Sequence, residues 1–150
     1  MHLDELNFIR ESNRIEGITR PISESEIAEY VRFIALDMVT LEDMRHFVRI
    51  YQPNAKLRDK VGLDVRVGNH IPPRGCPEIK DQLVNLLSRA YQDWNPYVIH
   101  LKFETLHPFT DCNGRSGRML WAWQMQQQNQ NFSLGFLHTF YYQTLANHRT

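Results

Sequence analysis

Helical spacing of apolar residues runs along most of this chain and breaks once, between Leu57 and Gly75. That single break limits the chain to a helical bundle carrying one non-helical arm. "LDELNFIRESNRIE" places Leu3, Leu6, Ile9 and Ile15 at near-helical intervals, and Gly17 follows as a C′ residue. "SESEIAEYVRFIAL" opens on Ser and acidic residues and puts Ile27, Tyr30, Val31 and Ile34 on one face. "TLEDMRHFVRIYQ" repeats this with Thr40 as N-cap and Pro53 as terminator. Helices resume at "PEIKDQLVNLLSRAYQ" and at "NPYVIHLKFETLH", where Asn95 caps and Pro96 takes the first position. Two more are expected, from about Gly114 to Gln130 and from about Leu134 to Asn147. Between these, "LRDKVGLDVRVGNHIPPRG" has Gly, Pro and alternating Val. It reads as a hairpin, Leu57–Val61 with Leu63–Val67, inside a surface arm spanning 57–73.

With 150 residues the chain is expected to form one domain, 1–150, that buries a core without disulfides. Seventeen basic and seventeen acidic residues cancel, so no nucleic-acid partner is expected and any phosphate recognition must be local. Cys76 and Cys112 are too few for a disulfide framework and suit a reducing compartment. "MHLDELNFIRESNRIEG" lacks the pattern of a secretory leader, and no apolar run approaches the roughly 20 residues of a bilayer span. The expected place is the cytoplasm, with no membrane partner.

The stretch "HPFTDCNGRSGR", His107–Arg118, carries the chemistry. Pro108 keeps His107 out of the α conformation, which sets an imidazole at a helix end, able to exchange protons near neutral pH. "DCNG" is turn-forming and leads into a helix whose first N–H groups converge on an anion. Arg115 and Arg118, three residues apart, add positive charge where the helix dipole is already positive, so something negative is missing. Asp111 supplies a hard oxygen of the kind Mg²⁺ takes beside substrate phosphates.

These twelve residues resemble the signature of Fic domains, His-x-Phe-x-Asp/Glu-Gly-Asn-Gly-Arg-x-x-Arg. The resemblance implies an all-α Fic-fold helical bundle with a short β-hairpin flap over the active site. It implies a protein adenylyltransferase, a nucleotidyltransferase of the EC 2.7.7 type. Such an enzyme moves AMP from ATP to a Ser, Thr or Tyr hydroxyl of a target protein, the chain itself included. His107 would be the general base and Asp111 the Mg²⁺ ligand. Thr110, Cys112, Asn113, Gly114 and Arg115 would line the phosphate site, and Arg118 would meet the γ-phosphate. Gly114, where a phosphorylating branch carries lysine, favours adenylylation. Cys112 stands where the family has glycine. If that position needs φ > 0, a side chain costs about 1 kcal/mol or more. Near a helix N-terminus and two arginines, its thiol pKa is expected to fall.

"SNRIEG" is an anomaly of the opposite sign. Glu16 is expected in the last turn of its helix, where the dipole disfavours a carboxylate by roughly 0.3–1 kcal/mol, with Ser12 one turn earlier. The segment resembles the Fic inhibitory motif Ser/Thr-x-x-x-Glu-Gly/Asn, in the arrangement that precedes the catalytic core. It implies an inhibitory helix, 1–17, in which Ser12, Glu16 and Gly17 act and Glu16 pairs with Arg118. By the same likeness the hairpin is the flap that registers the target, with Val65, Val67 and Ile71 as docking contacts.

Three alternatives stay open. Glu16 could drive removal of AMP from a modified target. Cys112 could act as a thiolate nucleophile with His107 as its base. Or Cys112 could leave a nucleotide-binding module with little transferase activity. Trp121, Trp123, Phe136, Phe140, Tyr141 and Tyr142 read as core, and "HTFYYQTL" as a candidate homodimer surface.

Overall fold

The computed structural model describes residues 3–128. Six helices follow in order: α1 Leu3–Ile15, α2 Glu24–Ile34, α3 Leu41–Tyr51, α4 Pro77–Tyr91, α5 Pro96–Leu106 and α6 Asn113–Gln127. The all-α reading holds. The expected helix at 134–147, its aromatic residues and the candidate dimer surface lie outside the described residues.

The helix starts follow from local chemistry. Ser23 and Thr40 each form a capping box, with Glu26 and Asp43 at the third position. Such caps contribute about 1 kcal/mol each. Asn95 accepts from the N–H groups of Tyr97 and Val98, and Pro96 fills the first helical position.

α6 is the central element and packs against α1, α2, α3 and α5. Arg115 through Met125 is buried without interruption, which only an internal helix tolerates. Trp121 and Trp123 belong to this core, and Trp123 Nε1 donates to the Leu36 carbonyl at 2.8 Å. Gly117 sets how closely α5 and α6 approach. A Cβ there would lie 2.7 Å from Glu104 Oε1 and 2.8 Å from Phe103 Cδ1.

The expected hairpin, Leu57–Val61 with Leu63–Val67, does not form. Leu57 makes an antiparallel bridge with Phe109 instead, reinforced by Arg58 N–H to the Pro108 carbonyl and Thr110 N–H to the Lys56 carbonyl, both at 2.8 Å. The physical reason is burial. Leu57 and Phe109 are both core residues, so residue 57 pairs with the loop against which it packs. What remains is two tight turns, Lys60–Leu63 and Val67–His70, the second closed by two backbone bonds around Gly68 at φ +58°. Among the described residues no helix is long and apolar enough to cross a membrane.

Candidate active site

The end of α1 and the start of α6, joined across 102 residues of sequence by the Glu16–Arg118 contact, meet at one cleft. The cleft holds about 340 Å³, at the lower end of the range for ligand sites. Glu16, Val65, Val67, His107, Thr110, Asp111, Cys112, Asn113 and Gly114 line it. Glu104 and Arg66 line it too, and sequence reasoning missed both. For Glu104 a signal existed, since it precedes His107 by three residues, one helical turn.

His107 caps α5 in the left-handed conformation, φ 51° and ψ 62°, with its N–H on the Phe103 carbonyl. Pro108 disfavours the right-handed helical region, and His107 leaves it for the left-handed one rather than for extended backbone. Its Nδ1 lies 3.3 Å from the Glu104 carbonyl. A proton on Nδ1 would be donated there, leaving Nε2 as the basic nitrogen.

Asp111 is exposed at the cleft, and its Oδ1 accepts the Cys112 N–H at 2.7 Å. Cys112 itself sits at φ 68°, so the suspected positive φ is real and the side chain is strained there. The expected fall in thiol pKa is overturned. Burial pushes Cys112 up to about 12, outweighing the opposing field of Arg115. A thiol held this way speaks against the thiolate-nucleophile alternative.

Other side chains are already engaged. Asn113 grips the backbone of Phe109 from both ends of its amide, accepting at 2.9 Å and donating at 2.8 Å. Thr110 Oγ1 accepts the Lys56 N–H at 2.9 Å. These two side chains fix the loop.

The two arginines diverge. Arg118 is fully buried and donates from Nε to Ser12 Oγ and from Nη2 to the Ser12 carbonyl, each at 2.9 Å. Nη2 also donates to Glu16 Oε1 at 2.7 Å. Arg115 lies outside the cleft wall with its guanidinium 4.9 Å from the Tyr51 ring centre. Its Nε is buried with no hydrogen-bond partner. Glu16 follows the last residue of α1 rather than sitting within it, and Gly17 at φ +76° turns the chain away. The carboxylate rests on Gly114, where a Cβ would collide with Glu16 Oε1 and come within 3.0 Å of Arg118 Nη1. Ile71 is 71% exposed and stands outside the cleft lining.

A family model described as the Fic/DOC family matches residues 39–125. Searches of curated proteins and of solved structures found no match. With more than half of its length matched, the chain belongs to the Fic/DOC family, and its helical fold agrees.

Proposed function

We propose that the protein is an adenylyltransferase that moves AMP from ATP to a hydroxyl of a protein target, held off by Glu16. The supporting observation is Glu16 on Arg118. A carboxylate seated at a helix N-terminus, against Gly114 and an arginine, occupies the place that a phosphate would take. The family reading points to a nucleotide, and the cleft supplies a base and a metal ligand beside that seat.

His107 Nε2 accepts the proton of the target hydroxyl. The hydroxyl oxygen then bonds to the α-phosphorus, the bond from that phosphorus to the bridging oxygen breaks, and pyrophosphate leaves. Backbone N–H groups of the first turn of α6 hold the phosphates, and positioning supplies most of the acceleration. Asp111 is the residue that would hold Mg²⁺. An ion there would take its other ligands from substrate phosphates and water. Bound there, Mg²⁺ would neutralise phosphate charge. The Leu63–Pro73 loop, with Val65 and Val67 at the cleft, contacts the target.

A second reading, removal of AMP, draws on Glu16 being 37% exposed at the cleft that His107 also lines, in reach of a water. Mass spectrometry of Glu16→Gly incubated with ATP and Mg²⁺ tests the leading reading. Added AMP, absent from a Glu16→Gly, His107→Ala double variant, is the expected result. A folded, ATP-binding Glu16→Gly protein that never gains AMP, alone or with candidate targets, would refute it.

A further inference from the structure

Arg58 is fully buried, and its side-chain hydrogen bonds all end on main-chain carbonyls. Nε donates to His107 at 2.6 Å and Nη2 to Leu106 at 2.8 Å. These two carbonyls close α5, where the helix dipole is negative and a cation is favoured. Nη1 donates to Leu63 at 3.1 Å and to Pro73 at 2.7 Å. Leu63 and Pro73 are the two ends of the loop that brings Val65 and Val67 to the cleft. The main chain of Arg58 is tied as well, its N–H to the Pro108 carbonyl and its carbonyl to the Cys76 N–H. Burial disfavours the charge and pulls the guanidinium pKa below its usual value. A cation kept in such a place ties the end of α5 to segments that have no regular secondary structure of their own.

We propose that Arg58 is a positioning residue that fixes His107 and the Leu63–Pro73 loop as one unit. The left-handed cap at His107 and the loop's distance from the imidazole are then set by a single planar fork of donors. The assignment rests on the reading above, in which His107 is the base and the loop meets the target. It adds that base and docking segment cannot shift independently. Lysine cannot replace the fork, because three donors on one nitrogen cannot serve the four carbonyls that the planar guanidinium reaches.

The test uses Arg58→Lys and Arg58→Gln in the full chain carrying Glu16→Gly. Nitrogen-15 spectra read the His107 tautomer, amide exchange reads residues 63–73, and labelled ATP reads AMP incorporation. In folded variants the expected result is a changed His107 signature, faster exchange across the loop and kcat lower on the order of 100-fold. KM for ATP should hold, and Lys should retain more activity than Gln. Unchanged His107 resonances and loop exchange in a folded variant would overturn the proposal. Changes in both with no AMP transfer by any variant, Glu16→Gly included, would uphold the positioning and overturn the transferase reading. If neither variant folds, native-state exchange on the unsubstituted chain decides. Amides of 63–73 and 106–109 opening with one common free energy support the proposal, and separate openings overturn it.

Discussion

Glu16 Oε1 accepts a hydrogen bond from Arg118 Nη2 at 2.7 Å while the Arg118 guanidinium is entirely buried and Glu16 is 37% exposed. The arginine is held by Ser12 whether or not the glutamate is present, so the glutamate is the removable partner. A hydrogen bond to a charged group contributes about 1.5–3 kcal/mol, less where solvent reaches it. At about 1–2 kcal/mol, Glu16→Gly should tighten ATP binding roughly 5- to 30-fold. Calorimetric titration with Mg²⁺ present checks this, and an unchanged affinity would mean that the carboxylate and the nucleotide do not compete.

Gly114→Ala should expel the Glu16 carboxylate, because the new methyl group takes its place. Part of the cost should then vanish when Glu16 is already gone. The expected coupling between Gly114→Ala and Glu16→Gly in unfolding free energy is about 0.5–3 kcal/mol. Strict additivity in denaturant melts would separate the two sites.

Asn13 anchors the end of α1 by donating to Glu26 at 2.5 Å, both groups being buried. Burial alone would raise the Glu26 pKa, but hydrogen bonds from Asn13, Arg20 and Ser23 hold it below the usual value. Asn13→Ala should cost about 1–3 kcal/mol and loosen the inhibitory segment. Amide exchange at residues 12–18 should quicken, and the loss of stability on acidification below pH 5 should be shallower than in the parent, because less of the Glu26 depression is left to lose. No change in exchange would show that α1 is held elsewhere.

The Cys112 thiol, raised to about 12 by burial, should resist alkylation in the native protein. Half-buried Cys76 is the internal comparison. The native state keeps a proton that the unfolded chain loses near pH 9, so stability should decline between pH 9 and 12. Peptide mapping after iodoacetamide at pH 8 checks the first point. Equal labelling of both cysteines would contradict the burial.

His100 is wholly buried beside the Gly117 carbonyl, and burial pulls its pKa down to about 3, with the Arg118 charge adding to the effect. The unfolded chain binds a proton near pH 6.5 that the native state refuses. The stability is therefore complete above that value and drains as pH falls toward 3. Unfolding free energies should drop by a few kcal/mol between pH 7 and 4, roughly one for each unit. His100→Gln, which can still donate to Gly117, should flatten that limb. An identical pH profile in the variant would assign the acid limb to other groups.

The amino-acid sequence determined the helices, because apolar spacing, capping residues and Pro punctuation are local properties that Ser23, Thr40, Asn95 and Pro96 express within a few residues of themselves. It also marked the two anomalies, Glu16 at a helix end and two arginines at a helix start, since misplaced charge is visible without coordinates. Tertiary structure alone decided what each charge meets. Arg115 turns to Tyr51 while Arg118 meets Ser12 and Glu16, although the two sit three residues apart. It also decided that Leu57 pairs with Phe109 and that Arg58 gathers four carbonyls. These outcomes depend on burial and on distant backbone, which no local pattern encodes. Cys112 shows the same division. Its neighbours in sequence suggest a reactive thiolate, but packing around it excludes water and keeps the proton on sulfur.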